Sequence, residues 1–375
     1  MKKRIYIALI AVTLVVVSCT STEKILKSSD SNLKYTKAME WYTKGQYFKA
    51  IPVFEELMGL YKGEKSTEEL YYYYCMANYK QGSYLMAAYH FKNYTVKHPY
   101  SKYTEEASFM HAESYKKQTL VFSLDQTETI NAIEAYQTFI NAYSDSERLQ
   151  VANDNIDELR DRLEKKALKA ADLYFDTKNY RAAAVSYKNL LLDYPDIEGV
   201  KEIQFNIVKS YSKYADQSIA IKQQERYEEA IKTAKNFKNR YPNSKYLADI
   251  NKLNEEARYN IIKANYNSAL NSVYIVRMKI LDEMPDVYAN NFNKITDEKL
   301  KLKASKYLEK AYFQKIKTSY AQGQDSDVKN KSMYYKKCIE AYNVFSTKYA
   351  DSKYLNEAKS FFMASDKKYK KYSNG

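Results

Sequence analysis

The chain has 375 residues, with 60 Lys and Arg against 46 Asp and Glu (formal net charge +14), and only seven glycines and five prolines beside 41 tyrosines. So little glycine and proline argues against a glycine-rich phosphate loop, and no alternating strand pattern persists, so the chain reads as almost wholly helical. Three cysteines make no disulfide framework.

Lys2, Lys3 and Arg4 open the chain, Ile5 to Val17 is a largely apolar run, and Ser18-Cys19 follows. The run is too short to span a bilayer comfortably, so residues 1–18 read as a secretion signal. Its ending, Val16-Val17-Ser18-Cys19, resembles the lipobox of bacterial lipoproteins, which implies that Cys19 becomes the lipidated first residue, carrying palmitate-type chains. Each buried methylene contributes roughly 0.8 kcal/mol to membrane attachment. No aspartate follows Cys19, so the expected location is the outer membrane, lipid-anchored on the periplasmic face. Residues 19–32 are mostly polar and are expected to form a flexible tether.

Beyond the tether one phrase recurs: a small residue, a residue four later that is usually aromatic, a large apolar residue three further, then usually tyrosine four further. The copies are Ala50-Phe54-Leu57-Tyr61, Ala87-Phe91-Tyr94-His98, Ala132-Tyr136-Phe139-Tyr143, Ala183-Tyr187-Leu190-Tyr194, Ala230-Ala234-Phe237-Tyr241 and Cys338-Tyr342-Phe345-Tyr349. Steps of four and three hold each phrase on one helical face, and Pro99, Pro195 or Pro242 often follows, so each phrase is expected to end a helix. The steps between phrase ends are 37, 45, 51 and 47 residues and then 108, about two units. That period predicts an all-α solenoid of tetratricopeptide-like helical hairpins, an architecture commonly used to hold other proteins.

Helices are expected near 35–43 and 47–61, 67–81 and 84–97, 102–118 and 127–142, 147–177 and 180–193, and 198–216 and 225–240. One long helix is then expected over 244–282, ended by Met284-Pro285-Asp286, followed by helices near 296–321, 331–348 and 353–371. Pro52 is tolerable only near the first turn of its helix. Gly45-Gln46-Tyr47, Gly82-Ser83-Tyr84 and Lys178-Asn179-Tyr180 read as hairpin turns, with glycine or asparagine taking the left-handed backbone. Residues 33–256 thus form five repeats, and 257–375 a basic helical extension. The charge is concentrated there: residues 261–375 hold 22 basic and 12 acidic residues, which favours an anionic lipid or protein face as neighbour or simply solubilises the helices. Export argues against nucleic acid.

Within the repeats, Asp125-Gln126-Thr127 enters a helix after an irregular loop, Leu159-Arg160-Asp161-Arg162-Leu163 precedes Ala170, Ala171 and Tyr174, and Tyr194-Pro195-Asp196 follows. In this order the chain resembles the BamD family, repeat lipoproteins of the outer-membrane β-barrel assembly machine, over roughly Asn32 to Glu256. The resemblance implies a periplasmic scaffold that binds the barrel-forming subunit, works beside other assembly lipoproteins and receives unfolded outer-membrane proteins. It places the contact surface on the later repeats, around Tyr211, Lys213 and the turn at Arg240 to Asn243. A tetratricopeptide lipoprotein of secretion or envelope maintenance, or a glycan-binding lipoprotein using tyrosine platforms, is the alternative.

Catalytic chemistry finds no support. His90, His98 and His111 lack the spacing of helical metal ligands, no cofactor motif occurs, and the carboxylates form no recognisable reactive pair. Tyr71-Tyr72-Tyr73-Tyr74 points in four directions on a helix, so most tyrosines are expected to pack between helices with their hydroxyls reaching water. Trp41 and Tyr42 are the candidates for gripping an aromatic-rich peptide.

Overall fold

The computed structural model describes residues 22–61 and 66–373. Every regular element among them is helical: α1 (Ser31–Thr43), α2 (Tyr47–Leu60), α3 (Ser66–Gln81), α4 (Tyr84–Lys97), α5 (Thr104–Lys116), α6 (Thr127–Ala142), α7 (Leu149–Asp176), α8 (Tyr180–Asp193), α9 (Val200–Asp216), α10 (Ala220–Arg240), α11 (Leu247–Leu270), α12 (Tyr274–Phe292), α13 (Glu298–Asp325), α14 (Val328–Lys348) and α15 (Leu355–Ser373). Contacts divide the chain into two units, residues 1–166 and 167–375, with the boundary inside α7. In the first unit each helix from α1 to α6 packs on the next; in the second, α8 to α15 do the same, and α9, α11, α13 and α15 also lie side by side. This is the tetratricopeptide-like arrangement of stacked helical hairpins.

The recurring phrase is the interlock of each hairpin. Its small residue is sealed from solvent in every copy, from Ala50 to Cys338, and Phe54, Phe91, Tyr136, Tyr187, Phe237 and Phe345 are all 2% exposed or less. Its last residue is the C-cap of the helix: the N–H groups of Tyr61, His98, Tyr143, Tyr194, Tyr241 and Tyr349 donate to the carbonyl four residues back at 2.8–3.0 Å. A seventh copy resolves the 108-residue gap. Leu281-Pro285-Tyr288-Phe292 keeps the 4-3-4 spacing on α12, with Leu281 3% exposed and the rings of Tyr288 and Phe292 stacked at 4.6 Å.

Four local expectations are corrected. The helix expected over 244–282 breaks at residues 271–273, and Pro285 lies inside α12. The break is held by Arg277, whose guanidinium donates to the carbonyls of Ala269, Leu270 and Ser272 at 2.9–3.1 Å and so caps the end of α11. Pro52 sits in the second turn of α2; the carbonyl that loses its donor belongs to Phe48, a residue on the exposed side of the helix at 59% exposure. At the third hairpin turn the left-handed residue is Lys178 (φ 64), not Asn179 (φ −81). The tether is shorter than expected: residues 22–26 are helical, and Ile25 and Leu26 pack on the first core, because two adjacent apolar side chains in a polar stretch gain by burial.

A second recurring element escaped the sequence pattern. After the phrase helices, Ser101, Ser146, Ser244 and Ser352 each accept, at Oγ, the N–H two residues on, at 3.1–3.3 Å. These serine turns aim the chain into the next hairpin.

Two glycines make opposite predictions. Gly59 in α2 has open space where a Cβ would stand, so Gly59→Ala is expected to stabilise by about 0.5–1 kcal/mol through helix propensity. A Cβ on Gly323 in α13 would meet the Tyr335 ring at 2.7 Å, so Gly323→Ala is expected to destabilise by about 1–3 kcal/mol through overpacking. Denaturant unfolding of the two variants checks both signs.

Candidate functional site

The two segments that carry the family resemblance come together in the first unit. The loop 117–126 is clamped to α7 by Arg162, whose Nη1 donates to Thr119 Oγ1 at 2.6 Å and to the Leu120 carbonyl at 3.2 Å. Lys166 Nζ donates to the Leu124 carbonyl, and Lys165 Nζ stands 4.8 Å from the Phe122 ring. From the other side Gln126, 6% exposed, donates its amide to the carbonyls of Val121, Leu124 and Asp125 at 3.0–3.2 Å and accepts from Thr129 Oγ1 at 2.8 Å. Asp125 Oδ1 accepts the Thr127 N–H at 2.9 Å, which holds its carboxyl below the usual range. So many fixed donors leave the loop ordered while Leu120, Val121 and Leu124 remain 47–64% exposed. An ordered loop with three exposed apolar side chains is suited to contact another surface.

The candidate contact residues fall in unlike environments. Trp41 is only 7% exposed and belongs to the first core, which corrects its reading as a gripping residue; Lys49 Nζ stands 6.0 Å from its ring. Tyr42 beside it is half-buried, edge-on to Tyr47, Phe54 and Tyr73, with Lys80 Nζ 4.9 Å from its ring. In the second unit, Tyr211 and Lys213 are two residues apart on α9 and therefore point to different sides. Tyr211 packs on the local core and accepts from Lys188 Nζ at 2.7 Å. Lys213 is half-exposed and lies 3.5 Å from Asp216 Oδ2. Arg240, in the last turn of α10, is exposed with its guanidinium 5.7 Å from the Tyr241 ring. Cys19 lies outside the described residues.

The tyrosine run is structural. Tyr71, Tyr72 and Tyr74 are 5–7% exposed. Tyr72 stacks on Tyr103 at 4.2 Å and donates to Glu106 at 2.7 Å, and the hydroxyls of Tyr71 and Tyr74 reach the two ring nitrogens of His90 at 3.2 and 3.5 Å. Among the described tyrosines only Tyr35, Tyr89, Tyr100 and Tyr174 are largely exposed. The rest are buried or half-buried, many under a lysine stem, as Lys368 lies over Tyr320 and Tyr335.

The side-by-side helices of the second unit enclose a recess of about 240 Å3, built from α9, α10, α11 and α13 and lined by polar groups such as Ser212, Lys213, Asp216 and Glu256 over an apolar floor of Leu253, Ala257 and Leu300. Tyr227 donates to Asp216 Oδ1 at 2.6 Å, and burial, then Asp216, pushes the Tyr227 phenol well up. Burial and the neighbouring Tyr307 push Tyr259 up to about 12. No spacing in the sequence announces this recess, because its walls come from four helices.

A family model described as an outer membrane lipoprotein, YfiO, matches residues 27–225, just over half of the chain. The chain belongs to the YfiO family. In this YfiO-family protein a tetratricopeptide repeat model also matches residues 216–244, which contain the fifth phrase. Among solved structures the chain is similar to the TPR2AB-domain:pHSP90-complex of yeast Sti1 (16% identity, 73% of this chain and 98% of that one, TM-score 0.31). It is also similar to a tetratricopeptide repeat protein from Parabacteroides merdae (10% identity, 90% and 100%, TM-score 0.26) and to the P58(IPK) TPR domain (14% identity, 77% and 66%, TM-score 0.31). No curated protein matches the chain. No helix among the described residues of the YfiO-family protein is long and apolar enough to cross a membrane.

Proposed function

We propose that this protein is a non-catalytic scaffold of the outer-membrane β-barrel assembly machinery, held on the periplasmic face by lipid on Cys19. It binds the barrel-forming subunit, works beside other assembly lipoproteins and receives unfolded outer-membrane proteins. The observation that carries this reading is the YfiO match over residues 27–225, supported by the clamped, apolar loop 117–126 that joins the two family-bearing segments. Exposed Lys213 and Arg240, with Tyr211 partly so, are the residues assigned to the contact with the barrel-forming subunit. The residues beyond 225 lie outside the family match and include the basic helical extension, 257–375.

The experiment is affinity capture of the full chain after mild membrane solubilisation. The barrel-forming subunit is expected to co-purify; recovery of the chain alone, or with secretion or envelope-maintenance partners, would overturn the assignment. Cys19→Ser is expected to leave the protein unprocessed or in the soluble fraction, and unchanged processing with unchanged membrane fractionation would remove the lipid anchor from the proposal.

A further inference from the structure

We infer that the recess between α9, α11 and α13 is a seat for one cationic side chain, lysine or arginine, of an extended peptide lying along this face of the second unit. The inference rests on the function proposed above, in which the protein receives unfolded chains, and it specifies which part of such a chain is held here.

Three observations carry it. Ser212 is 7% exposed, lines the recess, and its Oγ has no hydrogen-bond partner among the described residues, although Ser210 and Ser218 on the same stretch each donate to the carbonyl four residues back. A buried hydroxyl left unpaired is costly, and a donor entering the recess would satisfy it. Glu256 also lines the recess, and its carboxylate has neither an ion pair nor a hydrogen bond among the described residues, so its acceptor positions are open. Finally, the volume of about 240 Å3 is below the roughly 300–1,000 Å3 of sites that take a whole small molecule, and it fits a single long side chain.

The sign of the charge follows from the lining. Asp216 and Glu256 face one cation, Lys213, whose Nζ is 3.5 Å from Asp216 Oδ2; Lys213 is half-exposed and free to swing outward. An anionic side chain would meet two carboxylates. A guanidinium or ammonium would donate to Glu256 and Ser212 Oγ, its methylene stem would lie on Leu253 and Leu300, and the Tyr259 ring would flank the charge. No third His, Cys, Asp or Glu joins the two carboxylates to make a metal site among the described residues.

The test uses the full lipidated chain in detergent and three fluorescein-labelled peptides of alternating serine and valine, with arginine, norleucine or glutamate at the centre. The arginine peptide is expected to bind at least about fivefold more tightly than the norleucine peptide by fluorescence polarisation, as a charge-assisted hydrogen bond to one carboxylate gives. Glu256→Gln is expected to abolish that preference and leave norleucine-peptide affinity unchanged; Ser212→Ala is expected to reduce the preference while leaving the helical circular dichroism and thermal midpoint intact or improved. Equal affinity for the arginine and norleucine peptides, tighter binding of the glutamate peptide, or a preference that survives Glu256→Gln would overturn the inference. Capture of the barrel-forming subunit is measured in parallel. Capture without arginine preference sinks the seat and leaves the proposed function standing, whereas preference without capture sinks the proposed function and leaves the seat.

Discussion

Phe139→Ala is expected to lower the unfolding free energy of the first unit by about 3–5 kcal/mol. Phe139 is completely buried and stands at the apolar step of the third phrase, edge-on to Phe109 of the preceding helix at 5.4 Å and tilted against Tyr143 at 5.5 Å. The ring joins α5 to α6, and truncation leaves a cavity that Ala132, Ala135 and Ala152 are too short to fill. In a stack of hairpins stability is the sum of repeat and neighbour-interface terms, so one lost interlock is a large part of the roughly 5–15 kcal/mol that holds an ordinary domain. Glu134→Ala, on the exposed side of the same helix, is expected to stay within about 0.5 kcal/mol of the unaltered protein. Denaturant unfolding measures both values, and hydrogen exchange should show protection falling first in α5 and α6. A loss below about 1 kcal/mol for Phe139→Ala would mean that the phrase does not interlock the hairpin.

The phrase was legible in the sequence because its information is local. A 4-3-4 spacing fixes a helical face wherever it occurs, and the residue at its end is the C-cap in all six copies read from sequence. The degenerate copy at Leu281-Pro285-Tyr288-Phe292 was not legible, since proline at the aromatic step normally argues for a helix end. Buried Leu281 and Met284 and the Tyr288–Phe292 stack outweigh that preference. The break at residues 271–273 was hidden for a similar reason: no glycine or proline marks it, and it is made by Arg277 reaching back to the carbonyls of α11. Trp41 as a residue type suggests a gripping side chain, yet it lies about one turn after buried Ala38 on α1 and so shares its inward face. The contact between Arg162 and the loop at Thr119 and Leu120, and the recess joining Ser212, Glu256 and Leu300, depend on which helices become neighbours. Residue types along the chain do not encode that adjacency in any short window.

Raising the pH past 10 is expected to unfold the protein steeply, with loss of helix and release of phenolate together. Tyr72, Tyr94, Tyr136, Tyr187 and Tyr227 are nearly or fully buried, and burial pushes each phenol well above its ordinary range. For four of them a carboxylate adds to the effect: Tyr72 donates to Glu106, Tyr136 to Glu113, Tyr187 to Asp172 and Tyr227 to Asp216. Tyr349 is pushed up to about 12, chiefly by burial. In the unfolded chain these phenols ionise near pH 10. Below that pH both states keep the proton, and the stabilisation is fully present. Above it the unfolded state binds fewer protons than the native one, so stability falls as pH rises, by up to about 1.4 kcal/mol per pH unit for each buried phenol. Several such groups acting together exhaust a marginal stability within about one to two pH units. The thermal midpoint followed by far-ultraviolet circular dichroism should therefore drop sharply between pH 10 and 12, and phenolate absorbance should rise in the same narrow interval. Tyrosines that titrate smoothly near pH 10 while the helical signal persists would show that these rings are not sealed between the helices. Tyr136→Phe should make the alkaline fall shallower, because the phenol facing Glu113 is then absent from both states.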